Sequence, residues 1–247
     1  MINGQKIISI IIPCFNEGEV ILENINKAIN MGKRIPIEFI FINNGSSDNT
    51  ANIFNDVRET LPEFIRLVTI KNNQGYGYAI KKVISMCKGD FIGWTHGDGQ
   101  TNLFDIRIAY SAISKSGASG IIKGVRVRRP FLDQFTSYSL DLLISILFLK
   151  RITETNAQPS IYKRCYLNNY SFYSNKLFFD IDAYIFARLH GAQEMRFNVK
   201  FPPRLFGESS WQRGFYSKLN FIGLTLAHLI KLKINIKKYL KFKGYKI

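Results

Sequence analysis

Up to Val127 the chain alternates between short apolar runs and longer stretches with helical spacing of apolar residues. Lys6–Ile12, Ile37–Asn43, Ile65–Lys71 and Asp90–Thr95 predict buried strands, and Glu17–Met31, Asp48–Thr60 and Tyr76–Cys87 predict the helices between them. This order predicts an α/β fold, a mostly parallel central sheet flanked by helices. In such sheets ligands bind beyond the carboxyl ends of the strands. Each predicted strand is followed by a polar, turn-forming segment: Pro13–Glu17, Asn43–Asp48, Asn72–Gly75 and His96–Gln100. All four are therefore expected on one edge of the sheet.

A fifth strand, Gly120–Val127, is expected to continue the sheet. After Arg129-Pro130 the pattern becomes a helix, Leu132–Leu149, whose run Leu142–Leu149 suits either packing on the sheet or resting on a membrane. Beyond Lys150 the alternation weakens. Tyr166–Phe179 reads as loop or weak helix, Asp182–His190 as helix, and Met195–Phe201 as a strand stopped by Pro202-Pro203. From Trp211 the chain reads as one or two helices ending in a lysine-rich segment.

Composition narrows the partners. The chain has 247 residues and a net charge of +16, from 34 basic against 18 acidic residues, so it suits nucleotide phosphates, anionic headgroups or nucleic acid. Cys14, Cys87 and Cys165 are odd in number and lack C-x-x-C spacing, which argues against a disulfide framework or structural zinc and for a reducing cytoplasm. Residues 7–12 are too short for a signal-peptide core, and no stretch reaches the roughly eighteen apolar residues of a membrane span. Any membrane association is expected to be peripheral.

The candidate chemistry centres on His96-Gly97-Asp98-Gly99-Gln100. If the strand stays extended, alternate side chains point the same way and His96, Asp98 and Gln100 converge as an open site for Mn²⁺ or Mg²⁺. The same residues also suit a solvated, glycine-rich turn. Gly75-x-Gly77 resembles the start of a dinucleotide-binding loop, but Ile80 stands where its third glycine belongs, which disfavours a dehydrogenase. Asn43–Thr50 suits an Asx turn followed by a helix capped by Ser47 or Asp48.

Taken together, Ile11–Glu17, Asn43–Thr50, Asn73–Ile80, Gly89–Ile92 with His96–Gln100, and Arg204–Ser209 resemble the family 2 glycosyltransferases of the GT-A fold, and among them the dolichyl- and polyprenyl-phosphate sugar synthases. The resemblance implies a catalytic domain over residues 1–210, and the pattern of apolar residues and lysines reads 211–247 as a basic amphipathic extension. It implies a sugar nucleotide held by Pro13, Phe15, Asn16, Glu17, Asn44, Asn73, Gly75, Gly77, Gly97 and Asp98. Asn43-Asn44 replaces the usual acidic pair, and an amide keeps an acceptor oxygen for a base N–H while removing charge.

The metal ligands implied are His96, Asp98 and Gln100, with His96 where the family commonly has an Asp. A divalent ion there neutralises a diphosphate leaving group, and the imidazole favours Mn²⁺ over Mg²⁺. Asp182 matches the acidic residue that serves as base, whereas Asp180 shares its face only in an extended segment. Arg204 and Ser209 match a loop that closes over phosphates, and Arg126 and Arg129 suit an acceptor phosphate, the membrane surface or plain solvation.

The expected function is metal-dependent, inverting transfer of a sugar from a nucleoside diphosphate to a polyprenyl phosphate or a cell-surface glycan. Lys231, Lys233, Lys237, Lys238, Lys241, Lys243 and Lys246, mixed with apolar residues, suit the anionic inner face of a membrane or a helix packed on the domain. A noncatalytic sugar-nucleotide-binding protein of the same fold is the alternative. A nucleic-acid-binding protein fits the charge alone, with no recognised motif, so no nucleic acid is expected as a partner.

Overall fold

The structure is a computed structural model that describes residues 7–117, 120–127, 131–168, 173–200, 202 and 215–242. Its centre is a seven-stranded sheet in the order β3-β2-β1-β4-β6-β5-β7. The strands are β1 (Ile8–Cys14), β2 (Ile37–Asn44), β3 (Ile65–Ile70), β4 (Phe91–Trp94), β5 (Ile121–Val127), β6 (Ser160–Lys163) and β7 (Glu194–Lys200). β2 pairs in parallel with β1 and β3, β1 with β4, and β5 with β7; β6 runs antiparallel to both β4 and β5. The carboxyl ends of β1, β2, β3, β4, β5 and β7 therefore share one edge.

Alternation along β1 and β2 builds both faces of the core. Ile8, Ile10, Ile12, Phe39 and Phe41 point to one side, where α1 (Ile21–Gly32), α2 (Thr50–Val57) and α4 (Ile106–Ser116) cover them through Ile25, Phe54 and Ala109. Ile11, Ile40 and Ile42 point to the other. That side is covered by α3 (Tyr76–Ile84), α5 (Phe131–Phe148), α6 (Phe179–Leu189) and α7 (Phe215–Phe242), through residues such as Ile80, Ile144, Ile185 and Leu229. The result is three layers with the sheet in the middle.

β5 continues the sheet as expected, but two elements are additions to the sequence reading. β6 sits between β4 and β5; a four-residue strand after Pro159 is too short to show a period. α4 was not expected either. Its signals are Ile106, Ala109 and Ile113 on one face, Asn102 accepting from the Phe104 N–H just before it, and Gly117 closing it at φ 64°. Asp182–His190 begins earlier than expected, at Phe179, so both Asp180 and Asp182 lie in the first turn of α6.

Candidate active site

The loops after β1 and β2 are tied together by their own side chains. Asn16 takes the left-handed conformation at φ 58°, which an Asn tolerates better than most residues. Its Oδ1 accepts from the Ser47 N–H at 2.8 Å, and its own N–H donates to Ser46 Oγ at 3.0 Å. The Glu17 N–H donates to Thr50 Oγ1, and the Gly18 N–H to Asp48 Oδ2 at 2.9 Å. Burial opposes ionisation of Asp48, but hydrogen bonds from Thr50 and Gly18 hold its carboxyl below the ordinary value. Asp48 also accepts from the Thr50 N–H, which satisfies one open donor at the start of α2 from the residue before its N-cap, Asn49. Pro13 is half-buried and Phe15 exposed on this lip.

The β2 and β3 loops meet at Asn44. Asn43 closes an Asx turn by accepting from the Ser46 N–H at 2.9 Å. Asn44 donates through Nδ2 toward Asn73 Oδ1 at 3.2 Å and Gly75 O at 3.3 Å, while its Oδ1 is buried and has no hydrogen-bond partner among the described residues. An acceptor left so at a strand tip suits a ligand N–H.

Gly75 and Gly77 have a packing reason. A Cβ on Gly75 would lie 2.4 Å from Asn175 O, and one on Gly77 2.1 Å from Ser174 O, so both let the start of α3 abut the segment before α6. Asn175 O in turn accepts from the Tyr78 N–H, one of the donors a helix start leaves open.

β4 ends at Trp94, and His96–Gln100 follows as a bend with Gly99 at φ 76°. Strand alternation therefore does not align His96, Asp98 and Gln100; the bend positions them. Gly97 fits close against Pro13 O and Cys14 Sγ, each 3.0 Å from where its Cβ would stand, and its carbonyl accepts from Asn24 Nδ2 at 2.9 Å. Asp98 is buried, and its Oδ1 accepts from the Gln100 N–H at 3.0 Å. Gln100 Nε2 donates to Pro202 O at 2.9 Å. His96 is half-buried, its ring 6.4 Å from that of Tyr76.

Among the described residues no group of three His, Cys, Asp or Glu side chains forms a metal cage. One carboxylate, one imidazole and the amide oxygen of Gln100 fit instead an open divalent site that needs phosphate oxygens to complete it.

The first turn of α6 sends its two acids different ways. Asp180 accepts from Trp94 Nε1 at the end of β4, and from Gln158 Nε2 at 3.3 Å. Gln158 also donates to Tyr76 Oη at 2.7 Å, so Asp180 belongs to the same cluster as His96. Burial raises the Asp180 pKa, opposed chiefly by Lys123. Asp182 is fully buried on the opposite side of the turn: it accepts from the Ser174 N–H and lies 2.6 Å from His228 Nε2 on α7. Burial raises its pKa too, opposed by His228.

Lys123, from the middle of β5, was not anticipated as part of this region. Its ammonium group is wholly buried, donating to Ala157 O and Ser160 Oγ, each at 2.6 Å, and burial lowers its pKa to about 7. Farther along β5, Arg126 pairs with Glu154 at 2.9 Å. Both line a cavity of ≈ 410 Å³ with Phe135, Tyr138 and Asp141. Arg129, Arg204 and Ser209 lie outside the described residues. Among the described residues, no helix is long and apolar enough to cross a membrane.

Comparison with known proteins agrees with this architecture. The chain is similar to a dolichyl-phosphate beta-glucosyltransferase of Dictyostelium discoideum, 26% identical over 176 residues that cover 64% of this chain and 54% of that protein. It is also similar to a Staphylococcus aureus poly-beta-1,6-N-acetyl-D-glucosamine synthase, 32% identical over 85 residues, 34% of this chain and 20% of the other. The chain thus spans about half the length of the first relative.

Among solved structures it resembles glucosyl-3-phosphoglycerate synthase from Mycobacterium tuberculosis in complex with Mn²⁺, UDP-glucose and phosphoglyceric acid. The TM-score is 0.69 at 16% identity, covering 92% of this chain and 80% of that one. That likeness establishes the GT-A fold. With residues 9–179 matching the family described as Glycosyl transferase family 2, the chain belongs to that family.

Proposed function

We propose that the chain transfers a sugar from a nucleoside diphosphate to an acceptor that presents a phosphate, with a lipid-linked polyprenyl phosphate as the acceptor and inversion at the anomeric carbon. The observation that carries the donor half is the interlocked edge of the sheet. Asn16 ties the β1 loop to Ser46 and Ser47, Asn44 ties β2 to Asn73 and Gly75, and Asn24 of α1 holds Gly97 O, while the buried Asn44 Oδ1, without a hydrogen-bond partner among the described residues, would suit a base N–H. Pro13, Phe15, Glu17, Gly75, Gly77 and Asp98 border the same edge.

In the reaction, an acceptor oxygen bonds to the anomeric carbon as the bond from that carbon to the diphosphate breaks, and the nucleoside diphosphate leaves with the electron pair. A divalent ion held by His96, Asp98 and Gln100 would neutralise the leaving group. Asp98 keeps one carboxylate oxygen fixed by the Gln100 N–H, which orients the group. The acceptor phosphate would sit against Arg126, whose planar guanidinium suits phosphate oxygens. Arg204 and Ser209 would close over it.

A phosphate acceptor is favoured over a saccharide hydroxyl because of the acids. An ionised phosphate needs no base, and both Asp180 and Asp182 are buried with donors on each. For Asp182 to act as a base, His228 and α7 would have to withdraw. The dolichyl-phosphate and phosphoglyceric acid named for the similar proteins support the same acceptor chemistry. A lipid acceptor would place the chain peripherally on the cytoplasmic face of a membrane.

The test is a thermal-shift screen of UDP-, GDP-, CDP- and dTDP-sugars with Mn²⁺ or Mg²⁺, followed by transfer assays with polyprenyl phosphate and with oligosaccharides. One nucleotide sugar is expected to raise the melting temperature, more with Mn²⁺ than Mg²⁺, and Asn44→Leu and Asp98→Ala should each remove the shift. Donor turnover that survives in polyprenyl phosphate but not in saccharide supports the acceptor; the reverse, with activity lost in Asp182→Asn, would replace it by a base-catalysed saccharide transfer.

A further inference from the structure

α5 and α7 pack side by side in one layer, burying Ile144 and Phe148 of the first and Leu229, Leu232 and Ile236 of the second in a common core. Each helix also carries a second apolar row, opposite that core on α5 and flanking it on α7. On α5 the row is Phe135, Tyr138, Leu142 and Ile146, running on to Leu149, all exposed and spaced three or four residues apart. On α7 it is Ile222, Leu226, Ile230 and Ile234, also exposed, at intervals of four. Two exposed apolar rows on helices that pack side by side exceed the scattered apolar residues of an ordinary exterior.

The charge beside these rows says what they meet. Between Phe215 and Phe242 the sequence has six lysines and no Asp or Glu. Lys231, Lys237 and Lys238 are exposed on α7, and Lys150 and Arg151 are exposed where α5 ends. A second copy of the chain docked through the same surface would set lysine against lysine. An anionic lipid layer instead takes the apolar side chains into its acyl boundary and the ammonium groups among its headgroups.

We propose that the outward faces of α5 and α7 together dock the protein on a bilayer containing anionic lipid. Phe135 and Tyr138 belong both to the α5 row and to the wall of the Arg126 cavity, so docking would hold that cavity at the headgroup layer. The docking rests on exposure and charge alone; only its link to a lipid-phosphate acceptor rests on the proposed function.

The experiment is flotation of the whole protein with vesicles of phosphatidylcholine, with and without phosphatidylglycerol, in the absence of any donor. Three proteins are compared: the native chain, Leu142→Ser/Ile146→Ser and Lys237→Glu/Lys238→Glu. Circular dichroism, and the melting shift with the donor from the earlier screen, check folding and donor binding in each. The native chain should float with the phosphatidylglycerol vesicles and lose that binding in high salt. Each variant should keep its fold and donor response yet bind the vesicles at least about tenfold more weakly.

Native protein that stays behind with both vesicles overturns the proposal, as does a Leu142→Ser/Ile146→Ser protein that floats like the native one. A dimer of the native chain dissolved by those same two substitutions, with vesicle binding unchanged, would reassign the surface to a second copy. Loss of vesicle binding with donor binding intact separates this surface from the active site.

Discussion

At the scale of single residues, Lys123 has the most to say about pH. Its ammonium group is wholly buried, and the loss of solvation lowers its pKa in the folded protein to about 7, against an ordinary value of 10.5, although Ala157 O and Ser160 Oγ accept hydrogen bonds from it. Between those values the unfolded chain binds the proton that the native state lacks, so stability should climb as pH rises from about 7 toward 10.5. Below the folded pKa both states are protonated and the cost of burying the charge is carried in full. Denaturation measured across that window should show a rise in the native protein on the order of a few kcal/mol and a smaller one in Lys123→Met. Equal slopes in the two proteins would mean that Lys123 does not titrate there.

At the scale of elements, the contact between the start of α3 and the segment before α6 holds the site together. It is made by bare backbone: Gly77 stands where a Cβ would come 2.1 Å from Ser174 O and 2.8 Å from Phe179 Cβ. Phe179 in turn packs edge-on against Trp94, 5.0 Å between ring centres, at the tip of β4. Gly77→Ala should therefore push α3 and α6 apart and cost roughly 1–3 kcal/mol, the usual range for overpacking. The check is a lower denaturation midpoint with unchanged slope, accompanied by weaker donor binding. Gly117→Ala makes a useful contrast, since nothing lies within 4 Å of its Cβ and only its φ of 64° resists the change.

At the scale of the molecule, a net charge of +16 works against compactness, because like charges are drawn together by folding. The described ion pairs, such as Arg66 with Glu38 and Arg126 with Glu154, use several acids and leave the excess of cations in place. Screening by moderate salt should raise the melting temperature in the absence of ligands. A flat or falling melting temperature between low and physiological salt would show that pairing already balances the repulsion. The same salt should weaken vesicle docking, so the two effects oppose each other in one preparation.

The sequence by itself determined the strands β1 to β5 and β7, the helices α1 to α3, and the gathering of four polar loops at one edge. Apolar period and turn residues are local, and the direction of a parallel sheet follows from their order. It also marked Asn16, Asn44, Gly97 and Asp98 through motifs that resemble a family. Only the tertiary structure decided what those residues touch. β6 was hidden because four residues carry no period, and Gln158, two residues before it, meets Asp180 only in the folded chain. The divergence of Asp180 toward Trp94 and Asp182 toward His228 depends on where α6 begins, a matter of one turn. The two outward rows of α5 and α7 became a surface only when both helices were seen in one layer, since sequence gives each helix its stripes but not its neighbour.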